Sequence, residues 1–238
     1  MVRPRARAAH GTNFSREAHR YDSVRPGYPE AALDLLGWDW PQLRVCDLGA
    51  GTGILSTQLL DLGAEVVAVD PDGPALTRNP APTKLGTAED TGLATGSVDV
   101  VTVAQAWHWF DEAAAEEIAR ILRPAGRLVI LINQLDVRVD WVLRLSRIMH
   151  AGDVYRPAYV PAPAGFALRE RAVVDFATPL DVDGIVDLAR TRSYWLRSDE
   201  ATRARVESNL RGYLGEEHPI SGTVDLPYMC LAYVLDRL

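Results

Sequence analysis

The sequence holds two cysteines, Cys46 and Cys230, far apart and outside any CxxC or histidine-rich cluster, which excludes a disulfide framework and a zinc site of ordinary spacing. Both read as small buried hydrophobes. Lysine is almost missing: Lys84 is the only one, so arginine carries the basic side. Basic residues are also outnumbered, 25 Lys plus Arg against 32 Asp plus Glu, for a formal charge of −7. Such a chain lacks the basic surface through which nucleic acids bind by releasing counterions, so nucleic acid is not an expected partner. Apolar runs such as Leu128–Ile132 are far shorter than the roughly 20 residues that span a bilayer. Arg3, Arg5 and Arg7 are not followed by the apolar stretch of a signal peptide. The expectation is a cytoplasmic protein without a membrane partner. No convergent set of Asp, Asn or His ligands stands out by spacing, so no metal is expected.

What is present suits one soluble domain. With 238 residues, 47% of them hydrophobic and 24% charged, the chain can bury a sizeable core and is not disordered. After a polar N-terminal segment, strand-length apolar runs alternate with helix-like stretches, the sequence form of an α/β fold with a mostly parallel sheet. Leu43–Leu48 is apolar on both faces, as a central strand covered by helices must be. Thr52–Leu62 reads as a helix, with Leu55 and Leu59 on one face and Gly63 to close it. Further strands are predicted over Glu65–Val69, around Thr83–Gly86, and over Val98–Ala104 and Arg127–Ile132, with a helix over Asp111–Leu122. From Asn133 to Gly165 the pattern loosens into an amphipathic piece, Val137–Met149, followed by Pro157, Pro161 and Pro163. We read 1–40 as N-terminal lid helices, 41–133 as the cofactor-binding half and 134–165 as an inserted cap. The remainder, 166–238, supplies C-terminal strands and helices, namely Leu168–Phe176, a helix near Val182–Arg192 and a last strand around Tyr228–Leu235.

The informative segment is Val45-Cys46-Asp47-Leu48-Gly49-Ala50-Gly51-Thr52-Gly53, a strand followed by alternate glycines and a helix. Glycines there let backbone N–H groups approach a ligand at a helix N-terminus, where the dipole favours a carboxylate or phosphate. A dinucleotide fingerprint needs a sixth-position glycine counted from Gly49, and Ile54 stands there instead. Asp70 closes the next strand, where a carboxylate can accept from both hydroxyls of a ribose. An adenosine-containing ligand without a pyrophosphate fits both features. The plainer alternative for Asp70 is the N-cap of a short helix starting at Pro71.

With these residues the chain resembles the class I S-adenosylmethionine-dependent methyltransferases, in particular the small-molecule subgroup typified by trans-aconitate and quinone-biosynthesis methyltransferases. The likeness extends over most of the chain. It includes Phe14, Tyr21, Arg25-Pro26-Gly27-Tyr28-Pro29, GTAED at 86–90, AQAWHWFD at 104–111 and LRPAGRLVI at 122–130. The resemblance implies a Rossmann-like fold with a seven-stranded, mostly parallel sheet, helices on both faces and a small helical cap. It implies S-adenosylmethionine as cofactor, S-adenosylhomocysteine as product and a small-molecule acceptor with an oxygen, carbon or nitrogen nucleophile. By the same resemblance Gly49, Ala50, Gly51 and Gly53 hold the methionine part and Asp47 sits near its ammonium. Asp70 binds the ribose, Pro71 and Asp72 border the adenine, and Ala88 and Glu89 lie on its far side. Gln105 offers its backbone carbonyl to the ammonium, and Tyr21 and Arg25 belong to a lid. Thr87 stands where the family often has an acid, which shifts adenine recognition towards backbone groups and Glu89.

His108 lies just past a central strand with a pKa suited to a general base, and is the candidate catalyst; flanked by Trp107, Trp109 and Phe110, it equally reads as a packed imidazole shaping the pocket. The run Arg190–Trp195 offers guanidinium forks to an anionic substrate, or forms a solvated helix end. Tyr21, Tyr28 and Phe14 can simply pack a first helix on the sheet. Trp141, Tyr155, Tyr159, Tyr194 and Trp195 suggest an aromatic or carboxylated acceptor. Two alternatives stay open on sequence alone: a fold member that binds the cofactor without methylating, and a nicotinamide-dependent oxidoreductase.

Overall fold

The computed structural model describes residues 24–35, 37–152 and 157–238. The described residues form one seven-stranded sheet in the order β3-β2-β1-β4-β5-β7-β6. Its strands are β1 (Arg44–Leu48), β2 (Glu65–Asp70), β3 (Thr83–Leu85), β4 (Val98–Ala104), β5 (Leu122–Leu135), β6 (Phe166–Leu180) and β7 (Val224–Arg237). The first five pair in parallel, and β7 runs antiparallel to both β5 and β6. This is the Rossmann-like α/β architecture that the sequence pattern implies.

Side chains alternate across the sheet, as the two-residue period of a strand requires. Cys46, Leu48, Val101, Val103, Leu128 and Ile130 pack beneath α4 (Glu112–Ile121), through its Ala114, Ala115, Ile118 and Ile121. Val45, Val100, Val129 and Leu131 face the other way, against α2 (Ile54–Asp61) with Leu55 and Leu59, and against α1 (Glu30–Asp34) and α3 (Gly73–Leu76). Both faces of β1 are therefore covered from Val45 to Leu48, which is why that stretch is apolar except at Asp47. Asp111 caps α4 by accepting from Ala113 N–H at 2.9 Å, so the helix starts one residue later than its acidic signal suggests.

A third apolar cluster forms the cap. It joins α5 (Asp140–Met149) through Val142, Leu145 and Met149 to α6 (Val182–Arg190) and α8 (Glu200–Gly212), with short α7 (Ser193–Arg197) between the last two. Its two parts leave the sheet from neighbouring places: β5 ends at Leu135, opposite Tyr228 of β7, and β6 ends at Leu180, opposite Val224. Residues 181–223 are thus an excursion at the tip of one long antiparallel pair. No helix of the described residues is long and apolar enough to cross a membrane.

Candidate functional site

In a parallel sheet the loops after neighbouring strands diverge where the order reverses, leaving a crevice at the strands' carboxyl ends. Here that point lies between β1 and β4, and a cavity of about 1020 Å³ opens there. Single small-ligand pockets span roughly 300–1,000 Å³, so this cavity lies at the upper end of that range. Its wall includes Arg25, Asp47, Gly49, Ala50, Gly51, Asp70, Pro71, Asp72, Ala88, Glu89, Gln105 and His108, which the fold gathers from five separate stretches of chain.

The floor is polar and fully organised. Asp47, 1% exposed, accepts from Ser56 Oγ at 2.6 Å and from Thr102 Oγ1 at 3.1 Å. Asn79 Nδ2 in turn donates to Ser56 Oγ at 3.1 Å. Burial pushes the Asp47 carboxyl up to about 6, against these hydroxyls, and the nearby Asp70 charge adds to the rise. Asp70 accepts from Gly51 N–H at 2.9 Å on one oxygen and from Asp72 N–H at 2.8 Å on the other. Each oxygen keeps a lone pair for a further donor. Burial raises this carboxyl too, opposed by the two amides.

The loop after β1 is shaped by close approach. Gly49 has φ +73°, and a Cβ there would lie 2.5 Å from that of Ala106. Its amide and that of Ala50 donate to Val69 O at 2.8 and 3.2 Å, and Gly53 N–H donates to Ala50 O at 3.0 Å. The amides of Gly49, Ala50, Gly51 and Gly53 are therefore spent within the protein. At Gly49 the glycine supplies room for Ala106. Gly53 is not part of the cavity wall: it is the N-cap of α2, against Asn79 and Pro80.

Past β4, Gln105 adopts the left-handed conformation at φ +58°, a strain of the kind that clusters at functional sites. Its Nε2 donates to Asn133 O at 2.7 Å. Asn133 ties Gly27 O through Nδ2 at 3.0 Å. Its Oδ1 is buried at the cavity and has no hydrogen-bond partner among the described residues. His108 sits in a single turn of 3-10 helix, Trp107–Trp109, exposed and tilted against Trp109 with ring centroids 4.7 Å apart. Arg25 Nε donates to Thr191 Oγ1 at 3.0 Å, tying the N-terminal segment to the cap. Tyr28 is pinned by Gln58, which accepts from its N–H at 2.8 Å and donates to its carbonyl at 2.7 Å. Tyr21, Phe14 and Tyr155 lie outside the described residues.

A family model described as a methyltransferase domain matches residues 46–130, the half of the sheet that builds this floor. An uncharacterized methyltransferase of Mycobacterium tuberculosis (strain ATCC 25618 / H37Rv) is 40% identical over 229 residues, covering 91% of this chain and 92% of its own. The chain belongs to the class I S-adenosylmethionine-dependent methyltransferases. The methyltransferase shares its fold with the crystal structure of a provisionally assigned methyltransferase from an antibiotic biosynthesis pathway of Anabaena variabilis ATCC 29413. The TM-score is 0.62 at 20% identity, over 88% of this chain and 96% of that one. A provisionally assigned type II methyltransferase from Anaeromyxobacter dehalogenans aligns with TM-score 0.57 at 26% identity, over 89% of this chain and 96% of its own.

The methyltransferase cavity fits that cofactor by its donor and acceptor chemistry. An amino-acid ammonium and two ribose hydroxyls are donors, and the wall offers the acceptors Asp47, Asp70 and the orphaned Asn133 Oδ1. Asp72 Oδ2 is likewise buried without a partner among the described residues, while its Oδ1 caps α3 by accepting from Ala75 N–H at 3.2 Å.

Of the aromatic acceptor candidates, Tyr194 lines the cavity, stacked on His150 at 4.0 Å. Trp141 stacks on His218, Tyr159 meets Tyr233 edge-on, and Trp195 lies under Arg190, all away from the cavity wall. Within the arginine run, Arg190 pairs with Asp187 and Glu207 at 2.7 and 2.6 Å as helix surface, whereas Arg192 is buried and lines the cavity. Sequence reasoning missed Asn133, Gln134, His150 and Arg197 in this wall. The signal for the first two is a polar pair inside the apolar run from Leu128 to Leu135.

Proposed function

We propose that this enzyme methylates a small-molecule acceptor, in the manner of the subgroup with trans-aconitate and quinone methyltransferases. When bound, S-adenosylmethionine supplies an electrophilic methyl group on a sulfonium. In this reading Asp70 accepts from both ribose hydroxyls, and Asp47 and the Gln105 carbonyl face the ammonium. Pro71 and Asp72 border the adenine on one side, with Ala88 and Glu89 on the other. Gly49, Ala50 and Gly51 give the methionine chain its room, and Arg25 belongs to the N-terminal strap that covers it. The protein's main contribution is to align nucleophile and methyl carbon in a dry space, where orientation supplies up to ~7–11 kcal/mol of the barrier. His108 takes the proton when the acceptor is a hydroxyl or an acidic carbon; a carboxylate acceptor requires no base.

The observation that carries this reading is Asp70, a carboxylate at the end of β2 whose two oxygens are aimed by two backbone amides at the switch point of the sheet. Calorimetric titration with S-adenosylhomocysteine should give saturable binding, and NAD none. Asp70→Ala should weaken the former by at least about tenfold, since each charge-assisted hydrogen bond carries roughly 1.5–3 kcal/mol. Unchanged affinity in that variant would defeat the assignment. For a hydroxyl or carbon acceptor, His108→Ala should lower turnover at least about tenfold with cofactor affinity nearly unchanged. Wild-type turnover would remove the base.

A further inference from the structure

The charges on the cavity wall are segregated by the elements that carry them. Asp47, Asp70, Asp72, Glu89 and Asp111 come from the ends of β1 and β2 and the segments after β3 and β4. The cap contributes the opposite sign through Arg192 and Arg197, with no carboxylate among its described lining residues. Arg192 is 8% exposed, and its Nη1 reaches Ala151 O, next to His150, at 3.4 Å. Tyr194, between the two arginines in sequence, lies flat on His150 with ring planes 20° apart. This basic wall belongs to a chain of net charge −7. Two guanidinium groups on one wall of a cleft focus positive potential onto whatever enters.

We infer that the methyl acceptor is an anion, a small molecule bearing a carboxylate or phosphate, whose oxyanion is held by Arg192 and Arg197 beside the His150–Tyr194 stack. The planar five-donor fork of arginine matches such a group in two-point contact, which an amide or alcohol cannot reproduce. This assignment rests on the methyl-transfer reading and adds the class of substrate to it. Arg25 is left to the strap, since its Nε is held by Thr191.

The test is equilibrium binding to the full chain saturated with S-adenosylhomocysteine. Benzoate, citrate and phenyl phosphate serve as anionic probes, with benzamide and phenol as neutral counterparts. At least one anion should bind about tenfold or more tightly than the neutral probes. Carboxylate against phosphate preference then identifies the group. Arg197→Gln and Arg192→Gln should each weaken that binding about tenfold while S-adenosylhomocysteine affinity stays within about twofold. Arg197 is exposed, so its variant keeps the test decisive if the buried Arg192→Gln fails to fold. Equal binding of charged and neutral probes, or unchanged anion affinity in Arg197→Gln, overturns the inference while leaving methyl transfer intact. Failure of the wild type to bind S-adenosylhomocysteine sinks both.

Discussion

At the scale of single residues, the loop after β1 separates two kinds of glycine. Gly49 has a neighbour where its Cβ would be, and Gly51, at φ +53°, has nothing within 4 Å. Gly49→Ala must displace Ala106 as well as adopt a left-handed backbone, and is expected to cost roughly 2–4 kcal/mol of stability by urea unfolding. Gly51→Ala should cost only the backbone term, roughly 1–2 kcal/mol, yet project a methyl into the cavity and weaken S-adenosylhomocysteine. Equal stability loss in the two variants would contradict this geometry. Asp47 makes a prediction about pH. Its carboxyl sits at about 6 in the folded chain, above the ordinary 3.8, so the fold takes up a proton that the unfolded chain does not between those values. The unliganded protein therefore gains stability from this group as pH falls through 6 towards 4, and loses it again on going back up. An ammonium prefers the ionised form, so cofactor affinity should move the other way, falling by up to about tenfold per pH unit below 6. Calorimetry between pH 8 and 5 checks the slope, which Asp47→Asn should flatten, leaving only what the raised Asp70 carboxyl adds.

Among the elements, the loop between β3 and β4 shows how a binding segment is held without secondary structure of its own. Glu117 of α4, buried at the loop's base, accepts from Thr91 N–H at 2.9 Å and Thr91 Oγ1 at 2.6 Å. Arg120 bridges its carboxylate at 2.7 Å and donates to Leu93 O at 2.7 Å and Thr95 Oγ1 at 3.0 Å. The Arg120 bond, aided by those of Thr91, draws the Glu117 carboxyl down to about 2. That stabilisation is complete above pH 4.5 and fades as pH falls towards 2. Glu117→Ala orphans the buried Thr91 donors and should cost roughly 2–4 kcal/mol at neutral pH. Amide exchange should quicken across the loop that carries Ala88 and Glu89, while strands β4 and β5 stay protected. Uniform exchange changes, or none, would show that the loop stands without this anchor.

The same elements explain what could be read in advance. β1, β2 and β4 were legible because short apolar runs end at Gly49, Asp70 and Gln105, where the chain changes chemistry abruptly. β5 was read as Arg127–Ile132 and in fact continues to Leu135, because Asn133 and Gln134 are polar residues that remain in the ladder opposite Cys230 and Met229. A polar strand end looks like a loop until its partner strand is known. Helix α8 was not foreseen: over thirteen residues it buries only Val206 and Leu210, too little for a periodic signal, and its N-cap at Asp199 is a lone cue. The site followed the same division. The floor carboxylates Asp47 and Asp70 lie in contiguous motifs and are legible, whereas the floor partners Ser56, Thr102 and Asn79 and the cap side, with His150, Arg192 and Arg197, are brought together only by the tertiary fold.

For the whole molecule, the parallel half and the cap meet along one cavity and share Leu135 at the end of β5. The sheet is completed by β6 pairing with β7 from Phe166 to Leu180, and Leu180, Leu226 and Tyr228 of these strands pack into the apolar cluster of the cap. The cap, in turn, closes its apolar cluster from α5 on one excursion and α6 and α8 on the other. Retargeting such an enzyme by chimera should therefore succeed when both excursions are grafted from one donor. Exchanging either alone strips Val142, Leu145 and Met149 of their counterparts, leaving a graft that sticks to other proteins before it ever meets a new acceptor.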